Sequence, residues 1–241
     1  MRSKALLITM LSLGLTCSAV SLTSYTNDAH AAVVDNVHET LHLTKKQQAK
    51  ITKAFTKWVA ERGQKSKFAV SNYYFDHGTN EDGKLWYAKT PDGDVLVRNA
   101  SEQDSSKDYR IKAIGGVVVY TAKNGTTGAC NAIKQDTNNG ATYSSSQVDT
   151  TKPIDKYLLA DNGIIYKCKL SGDDIKPAGG FSIKGQTADA TQWAISVDKD
   201  AQNEYRRLIH KYSDNTVKTT IDYNQNIKVG QDDYGITSEV Q

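Results

Sequence analysis

The chain has 241 residues, 38% of them hydrophobic, and a formal net charge of +3. This length suffices for one large domain or two small ones. A charge so close to neutrality excludes nucleic acid as the expected partner. The basic residues are scattered along the chain, in runs no longer than pairs such as Lys45-Lys46 and Arg206-Arg207. There is no internal repeat and no low-complexity tract.

The first 31 residues have the regions of a secretory signal peptide. Arg2 and Lys4 are basic, residues 5–20 are apolar, and Ala29 and Ala31 occupy the small-residue positions that signal peptidase requires. We therefore expect cleavage after Ala31 and a mature chain that is secreted, extracellular or associated with the cell surface. The apolar run is too short for a membrane span, so we expect no transmembrane segment in the mature chain.

Cysteine usage agrees with export. Cys130 and Cys168 would remain after cleavage, and an even count in an exported protein predicts a disulfide between them. The alternative is two unpaired thiols. A lipid anchor at Cys17 would be a further alternative, although Gly14 and Thr16 fit the lipoprotein pattern poorly.

The clearest predicted element is a helix over residues 45–62. Thr44 and Gln47 have the spacing of a capping box, in which hydroxyl and amide satisfy free backbone groups at a helix start. Gly63 is a plausible stop. Apolar side chains follow at helical spacing and should pack on a sheet. They include Ile51, Phe55 and Trp58.

The rest of the chain reads mainly as strands separated by turn signals. The predicted strands lie at residues 68–75, 84–89, 94–98, 109–114, 117–122, 156–170 (a hairpin), 193–197 and 217–223. Residues 123–150 should form a long loop. A second helix should begin at Asp198 or Asp200 and bury one side. That side comprises Tyr205, Leu208, Ile209 and Tyr212.

These patterns predict an α+β fold, with an antiparallel or mixed sheet packed by an N-terminal helix and a second helix near the C-terminus. We expect one domain over residues 32–224 and a polar, loose tail over residues 225–241.

The stretch "HETLH" matches the H-E-x-x-H signature of zinc peptidases. In that chemistry His38 and His42 would bind zinc, Glu39 would be the catalytic base, and Glu61 would have the spacing of a third ligand. The predicted helix lies between His42 and Glu61, however, and is roughly 27 Å long if it is unbroken. The two side chains then cannot reach one ion. We therefore favour a protein without a metal cofactor and retain a zinc metallopeptidase as the alternative.

Aromatic residues concentrate in "SNYYFDHG" and "KLWYAKTPDGD". Aromatic rings beside carboxylates suit the stacking of sugars and the recognition of polar peptides. The alternative is that most of these rings belong to the core. The candidate binding residues are Tyr73, Tyr74, His77, Trp86 and Tyr87.

Several phrases together resemble a family of uncharacterised secreted or lipid-anchored proteins of lactobacilli and related Gram-positive bacteria. They are "AVSNYYFDHG", "WYAKTPDGDVLV", "IGGVVVYTAKNGTTG" and "KYLLADNGIIYKCK", within about residues 50–213. The resemblance implies an extracellular or surface-associated domain of unknown function and supplies no catalytic residues. With the aromatic pattern it predicts a non-enzymatic module whose partner is a wall polymer, a glycan or an extracellular protein.

Overall fold

The computed structural model describes residues 33–35, 39–71, 75, 83–99, 106–130, 148–171, 179–186, 191–213, 215–218 and 220–222. These ranges contain helices α1 (Lys45–Ser66) and α2 (Lys199–Ser213), a 3₁₀ turn (Ser106–Asp108) and eleven strands. The strands are β1 (Val33–Asp35), β2 (Ala69–Ser71), β3 (Leu85–Thr90), β4 (Gly93–Asn99), β5 (Ile111–Tyr120), β6 (Gly128–Ala129), β7 (Ile154–Ala160), β8 (Ile165–Leu170), β9 (Ser182–Ile183), β10 (Ala194–Ile195) and β11 (Thr220–Asp222).

Helix α1 begins with the predicted capping box. The Gln47 amide nitrogen donates to Thr44 Oγ1 at 3.3 Å, and the Thr44 nitrogen donates to Gln47 Oε1 at 2.8 Å. The predicted stop at Gly63 is wrong, because the helix runs on to Ser66 and is capped by Lys67 at φ 62°. Gly63 is instead a close-packing position, since a Cβ there would lie 2.6 Å from the Phe68 carbonyl oxygen.

Strand β5 joins two predicted strands into one. Residues 109–114 and 117–122 were separated by Gly115-Gly116, but the chain passes through both glycines with a register shift between Ala113 and Gly115. This is a β-bulge, in which a strand continues with one extra residue. Strand β5 pairs antiparallel with β2 and β7 and parallel with β4, so the sheet is mixed.

The main sheet closes on itself. Its strand order is β10-β8-β7-β5-β4-β3-β9, with β2 and β6 added beside β5. A parallel bridge joins Lys89 of β3 to Gln192, and the Trp193 nitrogen donates to the Lys89 carbonyl at 2.8 Å. The segment leading into β10 therefore pairs with β3 at the far end of the strand order. The closed sheet has an inner face and an outer face.

Side chains alternate between these two faces, as strand geometry requires. The inner face buries a large apolar core that includes Trp86, Leu158, Tyr166, Cys168 and Trp193. On the outer face, residues of β2, β5, β7 and β8 pack against the apolar sides of both helices. The structure thus confirms an α+β fold with one helix near each end of the sequence.

Helix α2 is fixed to β8 by a buried side-chain amide. Gln202 Oε1 accepts from the Ile165 nitrogen at 3.0 Å, and Gln202 Nε2 donates to the Ile165 oxygen at 2.9 Å. Asp198 caps the helix, because its carboxylate accepts from the Ala201 nitrogen at 3.0 Å. Arg62 of α1 donates to the same Asp198 at 2.8 Å and links the two helices.

Strand β1 pairs antiparallel with β11 and forms a separate two-stranded sheet. The predicted signal peptide and the predicted tail over residues 225–241 lie outside the described residues. Within the described ranges, no helix combines the length and the apolar character that a membrane crossing requires.

The segment that precedes α1 contacts the turn between β7 and β8. The Leu41 nitrogen donates to the Asp161 carbonyl at 2.7 Å, while Asp161 Oδ1 accepts from the Lys112 nitrogen at 2.9 Å. Burial raises the pKa of the Asp161 carboxyl to about 6. The hydrogen bond from the Lys112 backbone nitrogen and the charges of Lys112 and His42 lower this pKa by a smaller amount. At neutral pH, a partly buried carboxylate therefore opposes folding.

We predict that Asp161→Asn stabilises the protein at pH 7. The folded-state pKa of about 6 lies above the ordinary value of 3.8 for an aspartate, so the folded form prefers the neutral acid. The free energy of unfolding therefore contains the full contribution of the neutral Asp161 carboxyl below about pH 4. It falls by up to about 3 kcal/mol as the pH rises through 6. Asparagine keeps the acceptor for Lys112 without the charge. Urea unfolding should show a gain of about 1–3 kcal/mol at pH 7 and little difference at pH 4.

Asp149→Asn is the matched control. This exposed carboxyl has a lowered pKa, chiefly because the Thr151 side chain and backbone donate to it. Its charged form is therefore favoured by folding, and the substitution should bring no gain at pH 7. An equal gain in both variants would contradict the assignment to Asp161.

Candidate functional site

Two residues of the zinc alternative, His42 and Glu61, are held apart by α1. His38 lies outside the described residues, and Glu39 pairs with Lys218 at 3.0 Å. His42 precedes α1, whereas Glu61 lies in the last two turns of this unbroken helix. Glu61 lies sixteen residues after Lys45, the first helical residue, which corresponds to about 24 Å at 1.5 Å per residue. The ligand set His38, His42 and Glu61 therefore does not form one site.

No other group of three metal-binding side chains lies together in the described part of the chain. The Glu61 carboxylate instead forms a loose pair with Lys57 at 3.8 Å, one turn away on the same helix. Such exposed pairs contribute little to stability.

The disulfide predicted between Cys130 and Cys168 stays a prediction. Both cysteines are buried. In the sheet register, Cys168 lies opposite Lys156, Lys156 opposite Val118, and Val118 opposite Ser71. Cys130 adjoins the far side of β2, where its nitrogen donates to the Val70 oxygen.

Four strand spacings of about 4.7–4.9 Å thus separate the two cysteines along the sheet. Both residues nevertheless belong to the inner core of the closed sheet. The cysteine count did not reveal this strand order.

The predicted aromatic cluster divides at β3. Trp86 and Tyr87 are neighbours in sequence and therefore point to opposite faces. Trp86 is only 2% exposed and belongs to the inner core, so it cannot stack on a ligand at the surface. Tyr87 is half-buried on the outer face. Tyr73, Tyr74 and His77 lie outside the described residues.

Around Tyr87 the outer face of β3, β4 and β9 carries an aromatic and polar surface, on strands other than those that pack against the helices. We call Tyr87, Asp94, Asp108, Tyr109 and Ser182 the tyrosine face. The Tyr87 and Tyr109 rings lie 5.8 Å apart between centroids with a 42° tilt. Ser182 pairs with Tyr87 across the strands and shares its face. Leu85 and Leu96 form the apolar floor.

The rim of the tyrosine face carries charges of both signs. Asp108 pairs with Lys184 at 2.7 Å, with both side chains at least half exposed. Asp94 is exposed and lies opposite Lys89 in the strand register. Burial, followed by the charge of Asp94, raises the pKa of Tyr109 to about 12. The Tyr109 hydroxyl is therefore a neutral donor at physiological pH.

Ser182 is a polar residue that is 8% exposed. Among the described residues, its Oγ meets no hydrogen-bond partner. An unsatisfied buried hydroxyl costs about 1–3 kcal/mol, so Ser182 lowers the stability of the sheet beneath the tyrosine face. Neither Ser182 nor Tyr109 stood out in the sequence, because only the pairing of β3 with β9 and the turn before β5 bring them to Tyr87.

Two polar clusters stabilise the inner core. At one, the fully buried Lys156 Nζ donates to the carbonyls of Gly179 at 2.8 Å and Phe75 at 3.2 Å, and lies 4.6 Å from the Phe181 ring centroid. The alternation along β7 indicates this burial, because Lys156 lies two residues before Leu158 and therefore on the same face of the strand. Sequence reasoning overlooked it because lysine is rarely buried.

At the other cluster, the Tyr166 hydroxyl donates to Asp92 Oδ2 at 2.6 Å and accepts from Asn162 Nδ2 at 2.8 Å. Burial raises the pKa of Asp92, and the Tyr166 hydrogen bond opposes that shift. These contacts join the β3–β4 turn to the β7–β8 turn and stabilise the fold there.

In comparisons with known proteins, no family model, curated protein or solved structure matches the chain.

We predict losses of stability of very different size for two neighbouring substitutions. Trp86→Ala should lower the free energy of unfolding by about 3–5 kcal/mol, as expected for a large buried ring. Tyr87→Ala should cost about 1 kcal/mol, because that ring is half-buried and loses mainly its contact with Tyr109. Urea unfolding of both variants at one pH measures the difference. Equal losses would show that Tyr87 is a core residue.

Proposed function

We propose that the protein is an exported, non-enzymatic module that acts at or near the cell surface. Its ligand is a wall polymer, a glycan or an extracellular protein, and it is contacted through the tyrosine face. The observation that carries this proposal is the pair of Tyr87 and Tyr109, set on an outer sheet face between Asp94 and Asp108.

The chemistry of the tyrosine face favours a ligand rich in hydroxyl or amide groups. A half-exposed tyrosine ring supplies apolar contact area with a polar tip. The carboxylates of Asp94 and Asp108 accept hydrogen bonds, while Lys89 and Lys184 donate them. Because the two signs of charge are interspersed, the rim selects no strongly charged ligand. Sugars and extended peptides meet these requirements.

Export is supported by the sequence. The basic, apolar and small-residue regions of residues 1–31 are those of a secretory signal peptide. The resemblance to secreted or lipid-anchored proteins of lactobacilli and relatives is consistent with that route. A contact surface built on rigid strands would then be presented to the cell envelope.

The proposal predicts that one cell-wall or surface fraction binds the purified protein, and that Tyr87→Ala weakens this binding. Loss of the ring should lower the affinity about five- to tenfold, which corresponds to about 1–1.4 kcal/mol. Fractions enriched in polysaccharide, peptidoglycan and surface protein should be compared by co-sedimentation. The affinity for the retained fraction should then be measured for each variant.

Tyr212→Ala on α2 is the matched control, because Tyr212 is a partly buried tyrosine on a different surface. It should bind as the unaltered protein does. The proposal fails if no wall or surface fraction retains the protein, or if Tyr87→Ala binds with unchanged affinity.

A further inference from the structure

Helix α1 concentrates positive charge that the overall composition conceals. The segment from Thr44 through Lys67 contains eight Lys or Arg residues, with Lys67 included, and one acidic residue, Glu61. This segment carries a formal charge of +7, so the remainder of the chain is net negative, given the total of +3. Arg62 is paired with Asp198 between the helices, but most of the other cations point to solvent.

Four of these lysines form a straight row. Lys46, Lys50, Lys53 and Lys57 follow each other at spacings of four, three and four residues, which places them on one side of a helix. All four are exposed. The row is about 16 Å long at 1.5 Å per residue, and it lies opposite the apolar side of α1 that packs on the sheet. We call these four residues the lysine row.

The row is electrostatically unfavourable in the isolated protein. Each pair of like charges three or four residues apart destabilises a helix. Lysines near a helix N-terminus also oppose the helix dipole, and the first turn of α1 contains no acidic residue. In the described part of the molecule, the row's only ion pair is the 3.8 Å contact of Lys57 with Glu61. A bound polyanion would relieve this repulsion.

A groove continues the row at its C-terminal end. It lies between α1 and β6, has a volume of about 440 Å³, and is lined by Lys53, Thr56, Lys57, Ala60, Glu61, Gln64 and Ala129. The small side chains of Ala60 and Ala129 leave room beside the two lysines. A chain-like ligand could therefore run along the row and enter this groove.

We propose that the lysine row binds a linear polyanion whose repeats are joined by phosphodiester groups. A single row of cations about one helical turn apart matches a chain with regularly spaced anions. A bilayer surface fits less well, because membrane-binding helices insert apolar side chains next to their basic side. Here the apolar side chains of α1 are packed against the sheet. The site lies on a different surface from the tyrosine face and does not depend on it.

The test measures binding of purified protein to poly(glycerol phosphate) over a range of salt concentrations. Replacing all four lysines of the row by Gln should weaken binding about tenfold or more near 0.1 M salt. It should also reduce the slope of log affinity against log salt by up to about 3. Glutamine is a good helix former, so circular dichroism should show an intact helix. If the fourfold variant fails to fold, the pairs Lys46/Lys50 and Lys53/Lys57 are replaced separately.

The matched control replaces four exposed lysines elsewhere by Gln, which changes the net charge equally. They are Lys107, Lys123, Lys152 and Lys211. This variant and Tyr87→Ala should both retain polymer binding. If polymer binding weakens equally in the control, net charge alone determines binding and the proposal is overturned. Loss of polymer binding in Tyr87→Ala would overturn the independence of the two surfaces.

Two further ligands decide between classes of partner. Vesicles of phosphatidylcholine with phosphatidylglycerol present the same phosphate chemistry on a bilayer, and oligo(dT) presents it on a nucleic acid. The proposal predicts weaker binding to both than to poly(glycerol phosphate). Tighter binding to the vesicles would assign the row to membranes, and tighter binding to oligo(dT) would assign it to nucleic acid. Either result would overturn the polymer assignment.

Discussion

The close approach of α1 and Phe75 to opposite sides of β5 is the constraint on which the rest of the fold depends. A Cβ at Gly115 would lie 2.3 Å from Thr52 Oγ1 of α1, and one at Gly116 would lie 2.3 Å from the Phe75 ring. Only glycine therefore permits both contacts. The Thr52 hydroxyl also donates to the Ile114 carbonyl at 3.2 Å, which fixes the helix at the bulge. Because β5 pairs with β2, β4 and β7, this one position orients the helix relative to most of the closed sheet.

Helix α1 combines two requirements that act against each other. Its apolar side, with Ile51 and Phe55 fully buried, seals the outer core of the sheet. Its solvent side concentrates like charges, which lowers the intrinsic stability of the helix. Packing compensates for that repulsion, because burying large apolar side chains contributes more than several surface charge pairs remove. The sheet contacts therefore allow α1 to keep a charge pattern that an isolated helix would tolerate poorly.

Local patterns predicted the elements whose signals lie within a few residues of sequence. The Thr44–Gln47 capping box, the buried Tyr205 and Leu208 on α2, and the β7–β8 hairpin are confirmed because periodicity and turn chemistry determine them. Non-local contacts decided the failures. The continuity of β5 depends on α1 and Phe75, which lie far from its glycines in the sequence. The lysine row has helical spacing, but the near-neutral net charge and the lack of contiguous Lys or Arg runs concealed it.

The filling of the inner face restricts where a ligand can be bound. Trp86, Trp193 and Tyr166 are large, fully buried side chains that occupy the space inside the closed sheet. The Lys156 contacts with the Gly179 and Phe75 carbonyls tie two loops to that interior, and Tyr166 ties two turns through Asp92 and Asn162. Opening such a core would leave a buried ammonium and buried hydroxyls without their partners, at a cost of several kcal/mol. Recognition without unfolding must therefore use the outer surface, where both the tyrosine face and the lysine row lie.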